Sequence, residues 1–83
     1  NYKTPFGEAD IIAERDGVYA FVEVKTRSTD EFGAPSEAVN GAKRKRYRSI
    51  AQYYCLSAGE ELAVRFDVAA LTEQRLDYIE NAF

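Results

Sequence analysis

Between positions 7 and 14 the side chains alternate, with Ala9, Ile11 and Ala13 on one side and Glu8, Asp10 and Ile12 on the other, a period of two that predicts a β-strand. Arg15, Asp16 and Gly17 supply turn residues. Positions 18–26 (VYAFVEVKT) then form the β-branched and aromatic run expected of a second, well-buried strand, so the two segments predict a hairpin. Positions 27–35, with Gly33, Pro35 and several charges, read as a loop, and positions 35–39 as a short helical turn. Asn40 is a suitable N-cap for a helix over 41–58 whose buried stripe is Tyr47, Ile50, Ala51, Tyr54 and Ala58, with Gly59 placed to stop it. Positions 62–72 predict a third strand in which Arg65 and Asp67 interrupt the apolar residues in alternation. Glu73 and Gln74 allow a turn before a shorter fourth strand over 76–83. The order β-β-α-β-β, without repeats or a linker, predicts an α/β fold in which one main helix packs on a mixed β-sheet.

With 83 residues, 46% of them hydrophobic, the chain forms a single domain over 1–83 with a thin core. No uncharged stretch approaches the ~20 apolar residues that a membrane span requires. The first residues carry neither a signal peptide nor a Met and already lead into a strand, so an upstream piece, now missing, is expected before Asn1. Cys55 is the single cysteine, which excludes an internal disulfide and makes a reducing cytoplasm the expected compartment. Histidine is absent, which removes His-based acid/base pairs, imidazole metal sites and the Ser/His/Asp triad, and leaves Cys55 without an activating base. Carboxylates and lysines remain as the chemical groups.

The net charge of −3 weighs against a nucleic-acid partner, since phosphate neutralisation supplies most of the binding energy. The distribution of charge points the other way. Lys43, Arg44, Lys45, Arg46 and Arg48 crowd the first turns of the predicted helix, where the macrodipole disfavours cations and like charges repel. An anionic partner relieves that crowding, and Lys43 and Arg46 are placed to hold a phosphate, with Arg27 at the end of the second strand as a further candidate. The alternative is a solvated basic face balanced by acids elsewhere. Tyr47, Tyr53 and Tyr54 are candidates for stacking on bases, although the helical spacing of Tyr47 and Tyr54 suits a core.

If Asp16 and Gly17 are the central residues of a tight turn, Arg15 pairs with Val18, and the register sets Ile12 opposite Phe21, Asp10 opposite Glu23 and Glu8 opposite Lys25. Two directly opposed carboxylates repel unless a cation lies between them. Together with a backbone carbonyl and waters they suit the octahedral oxygen shell of Mg²⁺ or Mn²⁺. Lys25 shares a strand face with Glu23, within reach of a metal-bound water. In phosphodiester hydrolysis a metal polarises the phosphoryl group and acidifies that water, while a lysine orients it and offsets charge on the phosphate. The competing interpretation makes these four residues the solvent face of an amphipathic hairpin, with Glu8 and Lys25 as an ion pair. Against it, positions 22–25 lie in an apolar run that reads as a central strand, where charges are costly unless paired or metal-bound.

Ala9-Asp10, followed across a turn by Glu23-Val24-Lys25, resembles the active-site signature of the PD-(D/E)XK nuclease superfamily. Four blocks, GEADIIA at 7–13, FVEVKTR at 21–27, FGAPSEAV at 32–39 and IENAF at 79–83, resemble the bacterial YraN family in order. The resemblance implies a restriction endonuclease-like core related to archaeal Holliday-junction resolvases and tRNA-splicing endonucleases. By position it implies Asp10 and Glu23 as metal ligands, the Val24 carbonyl as a third, Lys25 as the catalytic lysine and Mg²⁺ or Mn²⁺ as cofactor. Ala9 stands where the motif has proline. Family members carry a helix upstream of position 1, and in resolvase relatives it contributes a further acidic residue, for which Glu8 is the candidate substitute here. The activity so implied is Mg²⁺-dependent hydrolysis of phosphodiester bonds in DNA, on branched or structured forms, by a homodimer whose two sites face two strands. Fold relatives also include proteins that bind nucleic acid without cutting, which is the rival expectation; a structural or interaction protein is the third.

Overall fold

The computed structural model describes residues 1–26, 41–73 and 75–83. The expected loop and helical turn, the Asn40 cap, Arg27 and Gln74 lie outside the described residues. Seven elements follow in order: β1 (Tyr2–Thr4), β2 (Gly7–Ala9), β3 (Ile11–Arg15), β4 (Val18–Thr26), α1 (Gly41–Ala58), β5 (Ala63–Leu71) and β6 (Leu76–Ile79).

The hairpin register runs outward from the turn as the sequence predicts, from Arg15 opposite Val18 through Ile12 opposite Phe21 to Ile11 opposite Val22. Asp16 and Gly17 both adopt positive φ, 53° and 81°, the conformation of a two-residue turn whose twist matches the strands it joins. The ladder breaks at Asp10. A backbone partner would extend it to Val24, but the Asp10 carboxylate instead accepts the Val24 N–H at 2.8 Å. The predicted first strand is therefore two strands, and β2 turns away to pair with β1, an element the sequence reading left as a lead-in. Two pairings are corrected as a result: Glu8 opposes Lys3 rather than Lys25, and Asp10 sits at the break rather than in a ladder with Glu23.

The main sheet has the order β3-β4-β5-β6. Its central pair, β4 and β5, is parallel over nine residue pairs, from Val18 opposite Ala63 to Thr26 opposite Leu71. A parallel pair cannot be joined by a tight turn, and α1 lies in the crossover between the two strands. The outer pairs are antiparallel, which makes the sheet mixed. On the helix-facing side the buried core is Ala9, Phe21, Tyr47, Ile50 and Ala51, with Tyr2, Ile12, Tyr54, Phe66 and Phe83 packed against it. Tyr47, Ile50 and Ala51 are buried and Tyr54 is half-buried, as the stripe predicts, but Ala58 is exposed. The core stripe ends before the last turn, where Leu56 is also exposed. Gly59, at φ 76°, ends the helix: its N–H donates to the Leu56 carbonyl and that of Glu60 to the Cys55 carbonyl, the paired bonds of a glycine C-terminal cap.

The opposite side of the sheet buries Ala20, Val22 and Ala69, with Val24 against them. The last strand is shorter than predicted, ending at Ile79 instead of Phe83. Asn81 takes a positive φ of 53°, and the N–H of Ala82 donates to the Phe66 carbonyl at 2.8 Å. This turn delivers the Phe83 ring to 5.0 Å from that of Tyr47 and 5.6 Å from that of Phe66, so this segment closes the core instead of extending the sheet. Among the described residues no helix is long and apolar enough to cross a membrane.

Candidate functional site

Glu23 lies within β4 on the helix-facing side, its side chain only 14% exposed. A carboxylate so placed requires cationic or hydrogen-bonded partners, and helix α1 supplies two of them. The Tyr47 hydroxyl donates to Glu23 Oε2 at 3.0 Å, and Lys43 Nζ lies 3.2 Å from Oε1. Lys43 and Tyr47 are four apart and so share one helix face, which the buried Tyr47 ring locks against the core. Lys25, two residues along the strand, brings a second ammonium to 4.0 Å from the same Oε1.

Asp10 reaches this group from the break between β2 and β3. Its Oδ2 is fastened to the Val24 N–H, the amide that joins Val24 to Glu23. Both carboxylates act on one phenol. The Tyr47 pKa is raised well above its ordinary value, first by burial, then by the charge of and hydrogen bond to Glu23, and then by the charge of Asp10, with the Asp10 backbone amide working in the opposite direction. Tyr47 therefore remains a neutral donor at physiological pH.

By donor type, Asp10 and Glu23 could hold a hard divalent cation. Asp10 and Glu23 present carboxylate oxygens, and because the N–H and C=O of a strand residue point to the same edge, the Val24 carbonyl faces the edge that Asp10 occupies. An all-oxygen set without sulfur or imidazole suits Mg²⁺ or Mn²⁺. Glu8 does not join it: the residue is exposed on β2 and accepts from the Asn1 amide at 3.3 Å, and among the described residues no three acidic, His or Cys side chains gather as a metal group.

The three basic residues singled out from sequence part company. Arg27 lies outside the described residues. Lys43, assigned to nucleic acid, is turned inward onto Glu23 with its side chain 14% exposed. Arg46 stays exposed at its head, while its stem crosses Gly7 so closely that a Cβ there would lie 2.8 Å from Arg46 Cδ. Gly7 also has φ 131°, a conformation side chains rarely adopt. Gly7→Ala is expected to destabilise the fold by about 1–3 kcal/mol and to displace Arg46, which urea unfolding of the two proteins measures.

From sequence, Tyr47 suits the core or base stacking, and neither role uses its hydroxyl at a metal site. Its ring is core, but its hydroxyl is part of the site, and the four-residue spacing from Lys43 was the available signal. A second polar group, on the other side of the sheet, was also missed. Asp67 is fully buried on β5 and accepts from Arg65 Nε at 3.1 Å, from the Tyr78 hydroxyl and from the Asn81 N–H at 2.9 Å. Burial works against the Arg65 charge, but the hydrogen bond and charge of Asp67, with Glu80 behind them, outweigh it and hold its pKa raised. Every buried side-chain polar atom among the described residues has a partner, so this group has the character of a structural clamp.

The profile of the uncharacterised protein family UPF0102 matches residues 1–71. The chain is 43% identical over 83 residues to a UPF0102 protein of Thermodesulfovibrio yellowstonii, an alignment covering all of this chain and 74% of the relative. It is 45% identical over 87 residues to one of Alkaliphilus metalliredigens, covering all of this chain and 76% of the relative. A relative from Shewanella amazonensis is 37% identical over 83 residues, again with the whole chain covered, and 77% of the relative. Whole-length similarity and a mixed sheet carrying one helix agree: the chain belongs to the UPF0102, or YraN-like, family of the restriction endonuclease-like superfamily.

Proposed function

We propose that this chain carries the core of a divalent-metal-dependent endonuclease that hydrolyses phosphodiester bonds in DNA, on branched or structured forms. The observation that carries the reading is that Asp10, fastened from the strand break to the Val24 N–H, and Glu23, held by the Tyr47 hydroxyl, meet the same stretch of β4, with Lys25 beside them. Asp10, Glu23 and the Val24 carbonyl would hold Mg²⁺ or Mn²⁺. When bound, the ion supplies Lewis-acid polarisation of the phosphoryl group and a more acidic water. Tyr47 fixes the orientation of Glu23 through Oε2, the outer-shell support that ligating carboxylates require. Lys25 directs the attacking water and offsets charge growing on the phosphate. Arg46, its stem lodged over Gly7, offers an exposed guanidinium to the strand backbone, a contact that positions DNA without reading sequence. A homodimer would set two such sites against the two strands of a branched substrate.

One observation favours a second reading, a nucleic-acid-binding module that does not cut: the Lys43 ammonium lies 3.2 Å from Glu23 Oε1, a cation of the chain's own beside the proposed ligand. Titration calorimetry of Mn²⁺ into the intact protein and its Asp10→Ala variant separates the two. The metal-dependent enzyme predicts binding that weakens more than about 100-fold on loss of the ligand, beyond the usual cost of losing an outer-shell partner. Equal heats from the two proteins would leave the binding module as the better account.

A further inference from the structure

Glu23 has two oxygens with different kinds of partner. Oε2 is held by Tyr47, whose ring is 1% exposed and packed edge-on against Phe66 and Phe83, so this contact cannot leave without opening the core. Oε1 is held by lysine: Lys43 at 3.2 Å and Lys25 at 4.0 Å. An ammonium on a flexible four-carbon stem exchanges readily. A carboxylate only 14% exposed needs a cationic or hydrogen-bonded partner for each oxygen, yet it cannot keep two ammoniums and a divalent ion around one oxygen. Lys43 is nearer than Lys25 and more buried, 14% against 32% exposed, so its charge obstructs a metal on Oε1 more. It also stands in the first turn of α1, which lacks any acidic residue and where the macrodipole disfavours a cation. Contact with Glu23 offsets that placement.

We propose that Lys43 is the resident counter-ion of the metal position: it neutralises Glu23 Oε1 before metal loading and is exchanged for the divalent ion, which lets its ammonium turn from Glu23 to the phosphate of an incoming strand. This rests on the reading of Asp10 and Glu23 as metal ligands. Lys43 is then a positioning residue that couples metal loading to nucleic-acid binding, so that the cation site and the first phosphate contact become available together. The exchange also accounts for a lysine that looks like a phosphate contact in sequence but points inward in the structure.

Two measurements test it. Lys43→Gln, which keeps a hydrogen-bonding side chain without the charge, is expected to bind Mn²⁺ about tenfold more tightly than wild type in a calorimetric titration, the scale of one partly buried ion pair. In the wild-type protein, acetylation of Lys43 by acetic anhydride, read by peptide mass spectrometry, is expected to rise several-fold when saturating Mg²⁺ is added, with Lys45 as the internal reference. Mn²⁺ binding by the wild type with either unchanged affinity in Lys43→Gln or unchanged Lys43 labelling overturns this inference alone. A flat wild-type titration overturns the metal reading and the inference with it.

Discussion

Replacing Lys25 with alanine is expected to lower the rate of DNA cleavage by the intact protein by about 10²–10³-fold while leaving Mn²⁺ bound. The number follows from the work assigned to the side chain. Removing one preorganised electrostatic donor from a transition state costs about 3–4 kcal/mol, whereas removing a cation from the edge of a metal site costs the metal nothing and relieves repulsion. Lys25 stands 4.0 Å from Glu23 Oε1 and its side chain is 32% exposed, which suits the proposed role of a cation beside the metal ligand that is not itself a ligand. Single-turnover cleavage of a four-way junction and of linear duplex, beside Mn²⁺ titration of the same protein, supplies both readouts. Loss of cleavage together with loss of metal would assign Lys25 to holding the fold of the site. Undiminished cleavage would remove it from the chemistry. The comparison of junction with duplex also tests the substrate class: equal rates on both would retire the preference for branched DNA.

How much of this site could be read from the sequence depended on whether local or non-local contacts decide each position. Asp16-Gly17 specifies a turn that few dipeptides can make, and the turn fixes the pairing of the residues nearest it, so Ile12 against Phe21 was legible. Asp10 was legible as a candidate residue, but its geometry was not. Whether its carboxylate or the backbone before it takes the Val24 N–H is a competition between a side chain and a ladder, and residue types alone do not decide it. The common face of Lys43 and Tyr47 follows from helical spacing. That this face meets Glu23 follows only from the parallel pairing of β4 with β5 and the seat of α1 above them, a contact across 20 positions for Lys43 and 24 for Tyr47. Asp67 shows the limit most clearly. A polar residue alternating with apolar ones in a strand reads as a solvent-facing position, and it is buried here because Tyr78 and the turn after β6 close over it.

That closure predicts the largest stability effect in the molecule. Asp67→Ala is expected to cost about 3–5 kcal/mol, the range for removing one partner of a buried charged group, from a total of roughly 4–12 kcal/mol expected of a domain this size. The carboxylate is fully buried and joins three parts of the chain: Arg65 on its own strand, Tyr78 on β6 and the Asn81 amide in the turn beyond. Without it Arg65 still has Glu80, 3.8 Å away, but the Asn81 N–H loses its acceptor and the turn loses its anchor. The consequence reaches the other side of the sheet. The same turn carries Phe83 onto Tyr47, and Tyr47 holds Glu23, so loosening this turn loosens the donor that orients the proposed metal ligand. With a urea slope of about 1 kcal/mol per molar, the unfolding midpoint is expected to fall by roughly 3 M or more. Tyr78→Phe, which leaves the carboxylate its other two donors, is expected to cost about 1.5 kcal/mol, the low end for a hydrogen bond to a charged group, because Tyr78 is 46% exposed. If the two variants unfold at the same urea concentration, Asp67 is not the hub of the clamp, and the path from Phe83 to Glu23 must run through ring packing alone.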